Sequence, residues 1–504
     1  MKLNVKQGNI QTAVADAIIV NLFQGHSGQK GATGAVNSAL NGAIADLVNS
    51  GDLRGKSGKV VTLYPRNAIP ARRVIVAGLG KAEEFNLEAV REASAAAIKR
   101  AQKLGATNVV SIVHGGGIGK LNVQDAAQAL VEGSLLALYK YPLKKEKDAP
   151  PEIASLTLLE TDAGKLPAIK KGVEIGRITA ESVSLARTLV NHPGNIITPS
   201  ALAEAARQMS AETGLAFRVM EEDEMRQEKM NLLLAVTQGA TEPGKFIIME
   251  HKPDAQAADA PIVLVGKGIA FDTGGYTLKS GAGMLGMKGD MGGGAAVIGV
   301  MRAAAQLNLP LHVVGLVPTV ENVVSATAYK PGDVFTARNG VSVEIISTDA
   351  EGRLILADAL CYADTFNPAA VIDVATLTGG KAVTFGARIS ALFATDDELC
   401  HQLRIAGQKA DELMWRLPLD PAYDRQLKSI VADLKNSGGR KASAITAARF
   451  LAHFTGNWPW AHLDIADGEF YQPTLDYTPR SYLQQGATGV PVRALIEFLR
   501  QQVA

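Results

Sequence analysis

Cysteine is nearly missing from this sequence. Cys361 and Cys400 are the only two in 504 residues, which excludes a disulfide framework and a thiolate metal cluster and fits a reducing compartment. A dominant charge is missing too. Lys and Arg number 51 against 50 Asp and Glu, a formal charge of +1, so no global field draws the chain to nucleic acid or an anionic membrane, and partners must be argued locally. No run approaches the roughly 20 apolar residues of a membrane span. The opening Met1–Gln7 lacks the apolar core of a signal peptide, so a cytoplasmic protein is expected. The eight histidines are scattered, with no H-E-x-x-H and no close pair, which argues against a His-ligated zinc hydrolase. No G-x-S-x-G elbow supports a serine mechanism. The glycine-rich Gly115–Leu121 fails as a phosphate loop, because His114 stands where the first glycine belongs and Leu121 where Ser or Thr is required. Cys361 falls in an apolar helical pattern and reads as a core residue rather than a nucleophile.

What is present is a large apolar fraction, 47% of the residues, with 20% charged. That is enough to bury a sizeable core, and the length suggests two or more domains. Short β-branched runs alternate with longer helical patterns, an α/β rhythm. In the first third, strands are predicted at 17–23, 59–64, 73–77 and 108–113, with an Ala-rich amphipathic helix over 87–103. Residues 142–151 are charged and proline-rich, which suits an exposed loop, and 168–188 has the spacing of a long helix. The boundary is placed near 165, giving an N-terminal α/β domain over 1–165 and a second domain over 166–504 that starts with the connecting helix. The second part again alternates, with strands at 261–265, 311–317, 341–346 and 370–375 and helices near 293–307, 353–366 and 445–454. There is no fixed-period repeat.

Chemistry concentrates in the second part. Ser347-Thr348-Asp349-Ala350-Glu351-Gly352-Arg353-Leu354 places two carboxylates and a guanidinium within five positions at the start of an apparent helix. About eighty residues upstream, Lys267-Gly268-Ile269-Ala270-Phe271-Asp272-Thr273-Gly274-Gly275 runs out of an apolar strand, and Lys279 and Asp290 follow among glycines. Each motif lies just after a strand's carboxyl end, where open α/β sheets place ligand sites. If Asp272, Asp290, Asp349 and Glu351 converge, four negative charges must share protons or recruit cations. Oxygen ligands suit Mg²⁺, Mn²⁺ or Zn²⁺, and two such ions about 3.5–4 Å apart can activate water while polarising a carbonyl. Taken singly, each piece has a structural reading. Thr348-x-x-Glu351 fits a helix capping box, Asp290 fits an N-cap, Asp272-Thr273-Gly274-Gly275 fits a turn, and Lys267 fits a solvated lysine. Spacing alone leaves both readings open.

The chain closely resembles the leucyl aminopeptidase family, two-metal cytosolic exopeptidases whose signature octapeptide runs Asn-Thr-Asp-Ala-Glu-Gly-Arg-Leu; residues 347–354 match seven of its eight positions. The resemblance extends through Asn191–Pro199, Val265–Gly268, Asp373–Gly379, Ala432–Asn436 and Trp460–Ala466, and is loose over the first 165 residues. It implies that Asp272 and Glu351 bridge two divalent ions, Mn²⁺ or Zn²⁺, that Asp349 completes one site, and that Lys267 with Asp290 completes the other. Lys267 would bind as the neutral amine, so its pKa would have to fall well below about 10.4, which predicts activity favouring neutral to alkaline pH. Lys279 is implied as the electrophile facing the developing oxyanion, and Arg353 as the holder of a bicarbonate ion acting as general base. Met287, Thr376, Leu377 and Gly379 occupy positions that line the pocket for the first side chain, so an apolar residue such as leucine is the expected preference. The fold implied is a smaller α/β N-terminal domain of the macro type, plus a larger catalytic domain with a central mixed sheet sandwiched by helices. The assembly implied is a homohexamer, a dimer of trimers, acting on peptides in the cytoplasm.

Three departures stand out. Ser347 replaces Asn, Ser280 follows Lys279 where proline is usual, and Ile465-Ala466-Asp467-Gly468-Glu469-Phe470 carries acids where the family has small and aromatic residues. If that segment nears the pocket, its charge would shift preference toward basic N-terminal residues. Other classes stay open at this stage. A DNA-binding role, which some bacterial members carry, has no support from the charge and would show as a salt-dependent DNA shift. A silent homologue would show eroded ligands, and a two-metal phosphoesterase would bring histidines near the acids.

Overall fold

The computed structural model describes residues 1–504 apart from 118, 145, 146, 148, 254–259, 473–478 and 504. Of the predicted loop over 142–151, positions 145, 146 and 148 therefore lie outside the described residues. The chain divides into two compact units, 1–181 with 477–484, and 182–476 with 485–504.

The first unit is built on a six-stranded sheet in the order Lys2–Gln7, Ser155–Glu160, Asn108–Ile112, Ala17–Leu22, Val74–Gly78, Val60–Leu63. Five strands run parallel, and Val60–Leu63 closes one edge antiparallel to Val74–Gly78. Ala17–Leu22 and Val74–Gly78 are buried along almost their whole length, as expected of strands covered on both faces. Helix Leu87–Lys103 starts where the Asn86 side chain accepts from the Ala89 amide, an N-cap that satisfies one orphan donor. It packs against helix Val123–Ala137 through a buried Arg91–Glu132 pair at 2.7 Å.

The second unit holds a nine-stranded mixed sheet, ordered Met414–Arg416, Ser390–Ala394, Trp460–Asp464, Ala370–Ala375, Ile262–Gly266, Val313–Asn322, Lys245–His251, Ala216–Met220, with Gly268–Asp272 beside the far half of Val313–Asn322. The four strands from Trp460–Asp464 to Val313–Asn322 are parallel. The strand predicted over 311–317 continues through Pro318 to Asn322, because residues 268–272 resume pairing after Lys267 and supply it with a second partner. That offset leaves Lys267 at the break between the two strands and Asp272 at the end of the second. Helix Gly292–Gln306 packs on Ile262–Gly266, Ala370–Ala375 and Val313–Asn322, and helix Gly352–Ala363 also packs on the sheet. The latter buries every one of its residues, so the site at its amino end stands on a rigid, apolar base that includes Leu354, Leu356, Leu360 and Trp460. The predicted strand 341–346 is shorter, Ser342–Glu344, and lies in a separate three-stranded sheet. No helix among the described residues is long and apolar enough to cross a membrane.

Candidate metal centre

Strand ends bring the acids together. Asp272 closes its strand, and the chain then turns through Gly274 at φ +85° and Gly275 at φ +60°, a left-handed conformation that residues with a Cβ rarely adopt. A side chain at Gly274 would also collide with Asp349 and with the Thr277 carbonyl. The turn returns Lys279 to the acids, with its amide bonded to the Thr273 carbonyl at 2.9 Å. Asp290 arrives from a 3-10 turn before helix Gly292–Gln306, and Glu351 from the residue preceding helix Gly352–Ala363.

Asp272, Asp290 and Glu351 each offer an oxygen within 4.8 Å of the others, all three buried. Two lysines are threaded between the acids. Lys267 Nζ lies 2.8 Å from Asp290 and 2.9 Å from Glu351 and donates to the Thr376 carbonyl at 2.8 Å. Lys279 Nζ lies 2.8 Å from Asp272 and 2.5 Å from Asp349. The five predicted ligands and the predicted electrophile thus share one cluster, in which Asp349 is the most exposed acid and is tied in through Lys279.

The turn read at Asp272–Gly275 is present, with the Asp272 side chain accepting from the Gly274 amide at 2.7 Å, but the capping readings and the solvated reading of Lys267, which is buried, do not hold. Glu351 and Met291 stand at the N-cap positions of the two helices without side-chain caps, so Asp290 is not an N-cap. Thr348 instead accepts from the Thr277 amide and donates to the Gly274 carbonyl, holding the two motif loops to each other. Two buried carboxylate oxygens, Asp290 Oδ2 and Glu351 Oε2, have no hydrogen-bond partner, an arrangement costly enough to imply a cation.

Electrostatics agree. Burial and the neighbouring Glu351 charge push Asp272 up to about 6, and burial raises Asp290 and Asp349 as well. Burial acts the same way on Glu351, but Lys267 and Lys279 outweigh it and hold that carboxyl at about 2. Burial would lower Lys267, yet Asp290, Glu351 and Asp272 together hold its ammonium form above the usual range. A metal ion binding to that nitrogen would have to displace its proton. Four acids facing two ammonium groups leave a negative surplus, and hard divalent cations meet such a surplus.

Arg353 is buried, donates Nη1 to the Asn436 carbonyl at 2.9 Å, and leaves Nε without a partner. Burial lowers it to about 10. Thr376 bonds Asp290 at 2.8 Å, and the Leu377 amide donates to Asp464. Gly379 is exposed at the start of helix Gly379–Phe385, and Met287 is half-buried beside Asp290. Sequence reasoning misses two supports. Asn322 donates to both Asp272 and the Thr348 carbonyl, and Tyr329 donates to that same carbonyl. Neither carries a spacing signal: Asn322 is the last residue of strand Val313–Asn322, and Tyr329 lies in the loop beyond it.

Residues 184–496 match the profile of the cytosol aminopeptidase family, catalytic domain, and residues 19–148 that of the same family's N-terminal domain. The chain belongs to the cytosol aminopeptidase family. A probable cytosol aminopeptidase of Syntrophotalea carbinolica is 43% identical over 93% of both chains, and one of Roseiflexus castenholzii 40% identical over 99% of both. Among solved structures, the bottromycin maturation enzyme BotP in complex with Mn superposes with a TM-score of 0.85 at 32% identity, covering 97% of this chain and 100% of that one. A mutant of tomato leucine aminopeptidase superposes with a TM-score of 0.87 at 28% identity, covering 99% and 96%. The chain is accordingly an aminopeptidase, a metal-dependent hydrolase of peptides, with the mixed α/β fold and smaller N-terminal domain of its family.

Proposed function

We propose that this cytosol aminopeptidase is a two-metal leucyl aminopeptidase that releases leucine or another apolar residue from peptide N-termini. One observation supports this above the rest: Asp272, Asp290 and Glu351 meet within 4.8 Å in a buried cluster that also holds Lys267. Lys267, Asp272, Asp290, Asp349 and Glu351 would hold two divalent ions, Mn²⁺ or Zn²⁺. When bound, the pair would neutralise these acids and supply the Lewis acidity that activates water and polarises the scissile carbonyl.

The protein's own groups do the rest. Lys279 turns from Asp272 and Asp349 toward the carbonyl oxygen, where its ammonium stabilises the oxyanion. Arg353, whose Nε has no protein partner, would hold a bicarbonate ion, and that ion would supply the general base. Met287, Thr376, Leu377 and Gly379 receive the first side chain. Thr376 also keeps Asp290 and Lys267 in register. We place the enzyme in cytoplasmic peptide catabolism, as the name of the family suggests, and assign it the homohexameric assembly expected from the resemblance.

The test is hydrolysis of leucine p-nitroanilide after chelation, and again after adding back Mn²⁺ or Zn²⁺, with Glu351→Ala as control. Activity lost on chelation, restored by metal, and absent from the variant is the expected result, with a drop of at least about a thousandfold for the variant. An enzyme that is silent with either metal from pH 7 to 10 would overturn the proposal.

A further inference from the structure

The acidic segment that departs from the family pattern folds directly against the candidate pocket. Asp464 accepts from the Leu377 and Thr378 amides, at 3.1 and 3.4 Å, and from the Thr378 hydroxyl at 2.6 Å. From there the chain turns through Asp467 and is fixed by the Thr488 amide, which donates to the Glu469 carbonyl at 2.9 Å. The Phe470 ring covers Gly289, leaving no room for a side chain there. At Gly292, two residues beyond Asp290, an added methyl group would lie 3.2 Å from Glu469 Cβ and 3.5 Å from the Thr376 methyl. Glu469 and Thr376 therefore flank the same glycine, and Thr376 is the residue bonded to Asp290.

Glu469 lacks a counter-ion where one is expected. Its Oε2 is buried without a hydrogen-bond partner. Among the described residues the one cation acting on it, Lys381, donates to the Gly386 and Ala466 carbonyls at 2.7 and 2.6 Å, and no ion pair joins it to Glu469. The other charged neighbours, Asp467 and Asp464, are acids. Burial pushes the Glu469 carboxyl up to about 7, a desolvation cost that a cation seated against it would remove.

We propose that Glu469 is a specificity-determining residue of the aminopeptidase site, and that its carboxylate selects peptides with an N-terminal arginine or lysine. This rests on the two-metal reading above and extends its side-chain preference. The walls supplied by Met287 and Leu377 suit the apolar stem of a long basic side chain as well as they suit leucine, and Glu469 adds a partner for its charged tip.

The experiment compares kcat/KM for arginine and leucine p-nitroanilides with the Mn²⁺-loaded enzyme, Glu469→Gln and Glu469→Met. The wild type is expected to favour arginine, and both variants to lower the arginine-to-leucine ratio at least about tenfold, the scale of one close charge pair. The exposed Asp467→Asn measures the effect of a mere surface field and should leave the ratio within about twofold. A wild type active on both substrates, with a ratio that Glu469 variants do not change or that Asp467→Asn changes equally, would overturn the role of Glu469 alone. A wild type active on neither would overturn the aminopeptidase reading beneath it.

Discussion

At the scale of single residues, the octapeptide's glycine is as constrained as its acids. A Cβ at Gly352 would lie 2.4 Å from Lys267 Cε and 2.6 Å from its Nζ. A flexible lysine could ordinarily step aside, but this one is held by Asp290, Glu351 and the Thr376 carbonyl. Gly352→Ala should therefore displace the Lys267 amine from the cluster while the helix itself loses nothing, since alanine is the better helix former. We expect kcat/KM to fall about a hundredfold and Mn²⁺ affinity to weaken, with thermal unfolding close to wild type, because a shift of about 1 Å in a positioned group costs that much. Calorimetric titration of Mn²⁺ alongside the kinetics checks this, and unchanged affinity with unchanged rate would show that Lys267 tolerates the methyl. The meeting of the four acids with Lys267 and Lys279 is legible in the sequence through the octapeptide and strand-end motifs and their family resemblance, since charge and spacing alone leave a structural reading open. Asn322, Tyr329 and the lack of room for a Cβ at Gly352 are not, because each acts through a shape or a backbone carbonyl that only the folded chain creates.

At the scale of elements, hydrophobic spacing finds the long helices and buried strands well: Leu87–Lys103, Leu166–Asn191, Gly292–Gln306, Ala17–Leu22 and Ala370–Ala375 fall within a few residues of their predicted spans. It does not find helix Asn231–Thr237, and the reason is physical. Its N-cap, Met230, makes no side-chain cap. The cap comes instead from Asp358 on helix Gly352–Ala363, whose two oxygens accept from the Leu233 amide and the Arg338 amide, both at 2.9 Å. No local signal can announce a cap 125 residues away. Edge strands such as Lys2–Gln7, whose residues are all partly or fully exposed, escape the same test because their apolar contrast is weak. Asp358→Ala should leave the buried Leu233 amide and the half-buried Arg338 amide unsatisfied and lower stability by about 2–4 kcal/mol. The loss should appear in chemical denaturation and as faster amide exchange at Leu233 and Arg338. Exchange at those two positions as slow as in the wild type would refute the tertiary cap.

At the scale of the whole molecule, the two units carry different reporters. Trp415, Trp458 and Trp460 are the only tryptophans, and all belong to the second unit, so their fluorescence follows the metal-site unit while circular dichroism follows both. His114 lies in the first unit, 1% exposed, with Nδ1 accepting from the Asn21 amide at 3.0 Å. Burial pulls it from the usual 6.5 down to about 4. The unfolded chain gains a proton as pH falls through 6.5, whereas the folded chain does not until about 4. The contribution is therefore intact above 6.5 and is lost as pH falls through that window. By pH 5 this linkage removes about 2 kcal/mol of stability. His114→Gln keeps an acceptor for Asn21 but cannot titrate, so its stability should fall about 2 kcal/mol less between pH 7 and pH 5 than that of the wild type. The difference should appear in urea unfolding followed by circular dichroism and be weaker in tryptophan fluorescence. Equal pH slopes for the two proteins would mean that His114 already takes its proton in the folded state, and that the polar Asn21–His114 pair tolerates charge in the first unit's core.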